Sequence, residues 1–158
     1  MKEVGLLFIA LFMLGCQSKA QDNKEETFSV EKTDAQWREE LSELEYYVLR
    51  EQGTEPAWSS ELNKNDKKGV YVCAACKTPL FKSQYKFDSG SGWPSFDREI
   101  KGKVAYSTDY KLGYARTEEH CANCGGHLGH VFNDGPRETT GKRHCINGAA
   151  LDFIPENQ

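Results

Sequence analysis

Residues 70–76 read VYVCAAC, and this stretch decides the fold. Val70, Tyr71 and Val72 are the β-branched and aromatic residues of a short strand. The strand runs straight into a C-x-x-C turn, which sets two thiols on one side of a tight loop. The chain uses the device a second time, as CANC at 121–124, after 44 intervening residues. Cys73, Cys76, Cys121 and Cys124 together supply a tetrahedral four-sulfur set suited to one zinc ion. The interval is wider than in a compact zinc ribbon, so the ion would clip together two distant parts of a sheet. Four thiolates close the coordination sphere, so the expected role is structural and coupled to folding. Disulfides in a secreted chain and a redox C-x-x-C are the competing readings. The equality of the two turns favours zinc.

Outward from this stretch, short aromatic and β-branched runs alternate with turns. Strands are expected at 70–73, 85–88, 104–108, 113–118, 128–132 and 149–154. NDGP at 133–136 and TTGK at 139–142 mark turns. Before Pro56 the pattern is helical. Trp37, Leu41, Leu44 and Val48 recur at spacings of three and four from Thr33 onward. SELE at 42–45 has the form of a capping box, so Ser42 would start a second helix after a break near Leu41. Gly53 is the expected stop. The fold class is mainly β, an α+β arrangement of an antiparallel core with N-terminal helices laid against it.

A length of 158 residues suits one domain. The net charge of -4 gives no electrostatic pull toward nucleic acid. The first 18 residues, MKEVGLLFIALFMLGCQS, are a short positive start and an apolar run ending in Gly15-Cys16. The run is too short to span a bilayer and reads as a signal peptide over 1–15. Its ending resembles a bacterial lipoprotein signal, which would leave Cys16 as a lipid-bearing first residue. Residues 16–32 would be a polar, disordered tether, and 33–156 the folded domain. This places the protein in the cell envelope, in the periplasm or at the cell surface, held to a membrane by lipid.

Six cysteines are present. If four hold metal and Cys16 carries lipid, Cys145 in RHCING (143–148) is the thiol left over. A lone cysteine is often a small buried hydrophobe. As a nucleophile it needs activation, because a free thiol is mostly protonated at neutral pH. Arg143 and His144 are near, although neighbours on a strand face opposite ways. HLGHVF at 127–132 offers His127 and His130 as acid or base. Three residues apart on a strand, they too would face opposite ways, unless a turn at Gly129 brings them together. Each histidine alone reads equally well as a hydrogen-bonded, partly exposed residue. SGSGWPSF at 89–96 places Trp93 in a glycine-rich loop, as a core plug or an aromatic wall.

SGSGWPSF, RTEEHCANCGGHLGHVFNDGP and RHCINGAAL together resemble the methionine sulfoxide reductase B family, and VYVCAACKTPLF resembles its first zinc knuckle. The resemblance runs from about Trp37 to Phe153. It implies two antiparallel sheets with a short helical N-terminal segment, and an enzyme that returns the R epimer of methionine sulfoxide, in peptides or proteins, to methionine. It implies Cys145 as nucleophile, Trp93 as the residue holding the substrate methyl group, and His127, His130 and Asn147 as polar pocket residues. A thiolate attacks the sulfoxide sulfur, and a histidine, His130 ahead of His127, protonates the departing oxygen. Many members carry a recycling cysteine two residues before the tryptophan; here that position is Ser91. The reductant is then expected to be an external thiol, thioredoxin-like or small, serving a monomer. A zinc-stabilised module that binds peptides without turnover is the alternative, and Cys145→Ser separates the two.

Overall fold

Thr33 and Ser42 start two helices by the same device. The structure is a computed structural model that describes residues 27–156; the expected signal peptide over 1–15 and Cys16 lie outside the described residues. Helix α1 spans Asp34–Glu40 and α2 spans Glu43–Leu49, and each begins with a complete capping box, Thr33 with Gln36 and Ser42 with Glu45. The break at Leu41 resets the helical phase. Trp37, Tyr46, Val48 and Leu49 are therefore buried, whereas Leu44, expected on the apolar stripe, is exposed. After α2 the left-handed residue is Gln52, not Gly53. Gly53 is needed for space, since a Cβ there would lie 2.3 Å from the Tyr47 ring.

Among the described residues nine strands follow: β1 Gly69–Cys73, β2 Pro79–Lys82, β3 Lys86–Phe87, β4 Ser95–Phe96, β5 Val104–Asp109, β6 Arg116–Cys121, β7 His127–Phe132, β8 Arg143–Ile146 and β9 Leu151–Pro155. They form two antiparallel sheets, ordered β2-β1-β9 and β3-β4-β8-β7-β6-β5. The expected fold class holds. Strands β2, β4 and β8 were not expected. Two of them are too short or too polar for a period-two signal: β4 has two residues, and β8 reads RHCI. The strand expected at 113–118 begins only at Arg116.

The sheets share one core. Phe81 from β2 stacks on Phe96 from β4 at 4.3 Å between ring centroids, and Tyr71 from β1 meets Phe96 at 5.0 Å. All three rings are fully buried, each burial stabilising by about 1.5–3 kcal/mol. The folded part also starts before Thr33. The Val30 N–H donates to the Asn123 carbonyl at 2.9 Å, and the Phe28 ring covers Gly125, so the C-terminal end of the expected tether is packed on the second knuckle.

Candidate active site and metal centre

The two C-x-x-C turns are built alike. In the first, the Lys77 N–H donates to the Cys73 carbonyl at 2.8 Å and the Cys73 N–H to the Thr78 carbonyl at 2.9 Å. In the second, Gly125 donates to Cys121 and Cys121 to Gly126, both at 2.9 Å. Each turn closes on a left-handed residue, Lys77 (φ 58°) and Gly125 (φ 70°). The four sulfurs lie within 4.8 Å of one another. Cys73 and Cys124 are 3.8 Å apart, and Cys76 and Cys121 3.5 Å. Four sulfurs at ~2.3 Å from a tetrahedral zinc are ~3.8 Å apart, so the spacing fits the ion. Four thiolates gathered this closely would repel one another, and a cation between them offsets that repulsion. Cys73 ends a strand of the smaller sheet and Cys121 a strand of the larger one, so the four-sulfur site joins the two sheets.

Cys145 sits on β8, in the middle of the larger sheet. Its cross-strand neighbours are Ser95 on one side and His130 on the other, and the row continues through Glu118 to Ser107. Residues paired across strands share a face, with Cβ atoms ~5 Å apart. Arg143, two residues before Cys145, shares that face too, whereas His144 turns to the other. There His144 Nδ1 lies 2.5 Å from Glu119 Oε1, and both side chains are buried.

His127 joins His130 through a β-bulge, not a turn at Gly129. The pairing runs Glu119 with Gly129 and then His120 with His127, leaving Leu128 as the extra residue. The phase shift puts both imidazoles on one face, with ring centroids 5.6 Å apart. Gly129 serves a different purpose: a Cβ there would lie 2.0 Å from the Cys145 carbonyl oxygen.

Each imidazole is held by a carboxylate. His127 Nδ1 is 2.6 Å from Glu118 Oε1, and Ser107 donates to Glu118 Oε2 at 2.8 Å. Burial pushes Glu118 up, but the bonds from His127 and Ser107 outweigh it and hold the carboxyl below its ordinary value. His130 Nε2 is 2.8 Å from Asp109 Oδ2, and Arg116 pairs with the same carboxylate. The Lys111 backbone N–H, His130 and Arg116 together hold Asp109 down at about 2. A carboxylate this acidic accepts, so Nε2 carries the ring proton and Nδ1 the lone pair. Burial lowers His130 more than Asp109 raises it, which keeps the imidazole neutral at neutral pH.

Burial raises the Cys145 thiol, and two neighbours oppose it. Ser91 Oγ is 3.8 Å from Sγ, and the Arg143 guanidinium lowers the thiol by its charge. Arg143 is itself held by Asp134 through two bonds, Nε to Oδ1 at 2.8 Å and an Nη to Oδ2 at 2.9 Å. Ser91 is the end of a hydroxyl chain, with Ser91 and Ser89 oxygens 2.8 Å apart and Ser89 and Ser95 oxygens 2.7 Å apart.

Trp93 is not a core plug. It is half-buried and outside the apolar core cluster, and its Nε1 donates to the Glu55 carbonyl at 3.2 Å. Asn147 sits beneath this loop with its amide committed to backbone: Oδ1 accepts from the Glu55 N–H and Nδ2 donates to the Leu128 carbonyl, each at 3.0 Å. The buried Glu55 carboxylate accepts from the Gly148 and Ala149 N–H groups at 2.5 and 2.8 Å. Glu55 thus ties Trp93, Asn147 and the residues after Cys145 into one unit. Sequence reading missed Glu55, Asp109, Glu118 and Asp134, because a single carboxylate in a loop or on a polar strand carries no periodic signal.

The SelR domain family model matches residues 41–155. The chain belongs to this family. Its relatives include the peptide methionine sulfoxide reductase MsrB of Leifsonia xyli subsp. xyli, 51% identical over 132 residues, which are 83% of this chain and 95% of the relative. The MsrB of Leptospira interrogans is 53% identical over 130 residues, 82% of this chain and 98% of the relative. That of Agrobacterium fabrum is 52% identical over 127 residues, 80% and 93%. The SelR domain therefore takes in both knuckles, the row from Ser95 to Ser107 and the Trp93 loop.

Proposed function

We propose that this SelR protein is a peptide-methionine (R)-S-oxide reductase, returning methionine R-sulfoxide in peptides and proteins to methionine with Cys145 as nucleophile. The observation that carries the reading is the cross-strand row that sets Cys145 beside His130, in a chain about half identical to named MsrB enzymes over most of its length.

The chemistry follows from the resting protonation states. Cys145 is a thiol and His130 a neutral base. When a sulfoxide enters, the thiol proton passes to His130 and the Cys145 sulfur attacks the sulfoxide sulfur. The oxygen gains charge as its bond to the substrate weakens, and the imidazolium returns the proton to it, with His127 at the same face. The hydroxyl passes from the substrate sulfur to the Cys145 sulfur as the bond between the two sulfurs breaks. Methionine leaves and Cys145 holds the oxygen as a sulfenic acid, so the protein sulfur is oxidised as the substrate sulfur is reduced. Arg143, fixed by Asp134, favours the thiolate during attack, and Ser91 is placed to donate to it. Trp93, pinned through Glu55, supplies the apolar wall for the substrate methyl group. Asn147 acts by holding the Glu55 loop against β7.

Recycling uses outside thiols. Ser91 Oγ stands 3.8 Å from the Cys145 sulfur, where a hydroxyl forms no disulfide, and the four knuckle cysteines are grouped at the metal site. One external thiol displaces water from the sulfenic acid, giving a mixed disulfide; a second frees Cys145 and leaves as the oxidised disulfide. Cys73, Cys76, Cys121 and Cys124 would hold one zinc, which supplies structure and no open coordination position. The apolar run ending at Cys16 supports a lipid-anchored reductase acting on oxidised envelope proteins; loss of membrane partitioning in Cys16→Ala is the test.

Resolved R and S sulfoxides of a blocked methionine, offered with dithiothreitol, test the main reading. Reduction of R alone, abolished by Cys145→Ser, is the expected result. Equal rates on both epimers, or turnover by the serine variant, would refute it.

A further inference from the structure

A groove of about 1080 Å³ opens beside the catalytic loop, away from Cys145 and both histidines. It lies between residues 63–70, residues 82–88 and residues 154–156, with Trp58 in its lining. Its charge runs against that of the protein. Lys64, Lys67, Lys68, Lys82 and Lys86 line it against three carboxylates, in a chain whose net charge is -4. Four of these lysines are exposed; Lys86 is half-buried, donating to the Asn63 carbonyl at 2.8 Å. The groove also has an apolar side, where Val70 and Ile154 face each other across β1 and β9. Strand β3, which forms part of the wall, is the outermost strand of its sheet.

Trp58 connects this groove to the site. Its ring is 59% exposed and its backbone is left-handed, with φ 69°. A bulky residue in that conformation, showing an indole to water, is unfavourable on both counts. The backbone is held by a bond from the Trp58 N–H to the Gly92 carbonyl at 2.8 Å. The ring covers Gly92, where a Cβ would lie 3.0 Å from indole atoms. Gly92 lies between Ser91 and Trp93, so a residue lining the groove packs directly on the loop that carries Trp93.

We propose that this groove holds an acidic, extended stretch of polypeptide on one side of the oxidised methionine, with the Trp58 indole as the contact nearest the sulfoxide. The proposal rests on the reductase reading. A methionine sulfoxide inside a protein enters with its flanking chain, and the lysines favour carboxylates along that chain. The outer edge of β3 suits an extended backbone, and the exposed indole suits the first side chain beyond the sulfoxide.

The test uses peptides with one central methionine R-sulfoxide and three flanking residues that are acidic or basic, before or after it, with blocked methionine R-sulfoxide as a separate substrate. The wild-type protein should show an about tenfold higher kcat/KM for acidic over basic flanks on one side only, expressed in KM and lost at high salt. Lys67→Glu/Lys68→Glu/Lys82→Glu should reverse that ratio. Trp58→Gly, which keeps the left-handed backbone, should raise KM for peptides with acidic flanks on that side. The ratio is read within each variant, so a folding defect that slows all substrates alike cannot mimic it. Equal rates for acidic and basic flanks, an equal gain from both sides, or a ratio unmoved by charge reversal would each overturn the groove. Failure on the blocked amino acid would instead overturn the reductase reading.

Discussion

Cys145 is held between opposing influences, and its reactivity should report them separately. Burial raises the thiol; Ser91 and Arg143 bring it down. Alkylation of the resting protein by iodoacetamide should therefore rise with pH through a midpoint above that of a free thiol. Arg143→Ala removes a lowering influence, so its midpoint should move higher still and its rate at pH 7 should fall. Arg143→Lys should recover part of the shift, while Asp134→Asn, which loosens the guanidinium, should fall between. A midpoint unmoved by Arg143→Ala would remove arginine from the account. Ser91 allows a second measurement. Its oxygen is 3.8 Å from the Cys145 sulfur, so Ser91→Cys brings a thiol within reach of the sulfenic acid. One turnover without reductant should leave one added oxygen on Cys145 in the natural chain. In the variant it should leave a disulfide between Cys145 and the introduced thiol. The four metal-site cysteines were legible because thiols at these spacings have few other uses, whereas Cys145 stood out only as the thiol left over and through the family resemblance. Glu55 and Asp134 were not legible, because their value lies in partners 93 and nine residues away.

At the scale of elements, the active face depends on one irregularity. Without the bulge at Leu128, His127 and His130 would stand on opposite faces of β7, as simple alternation predicts. Reading the sequence placed the required break nearby but on the wrong residue, since a glycine signals a turn and a close approach equally well. Here Gly129 allows β7 and β8 to approach, and the carbonyl it would strike belongs to Cys145. Gly129→Ala should therefore destabilise the domain by about 3 kcal/mol. Activity should fall even where the variant is folded, because the strand carrying the nucleophile is displaced. Full activity in a folded Gly129→Ala protein would show that the approach is not needed. The helix starts were legible to within a residue because N-caps are local patterns, whereas α2 ends at Leu49, ahead of the stop expected at Gly53. Strands β4 and β8 were hidden because their pairing is decided by neighbours far away in sequence, not by their own composition.

For the whole molecule, the four-sulfur site and the packed Phe81, Phe96 and Tyr71 rings are two of the links between the two sheets. The aromatic link alone contributes a few kcal/mol, since truncating one such ring costs about 3–5 kcal/mol. Zinc at a four-thiolate site contributes on the order of 10 kcal/mol, comparable with the entire stability of a domain this size. The metal should therefore decide whether the smaller sheet stays docked. Cys76 is the ligand to test, because it lies in the loop after β1 and is only half-buried, so Cys76→Ser removes a ligand with little loss of packing. The variant should melt lower by on the order of 15 °C. Its hydrogen exchange should rise first in β1, β2 and β9, while the row around Cys145 stays protected until global unfolding. At temperatures where Cys76→Ser remains folded, turnover of the blocked sulfoxide should stay within a few-fold of the natural protein, because the closed metal site takes no part in the chemistry. A metal-free protein with unchanged melting would contradict the structural role. Selective loss of turnover without a change in melting would place the metal site in the redox cycle instead.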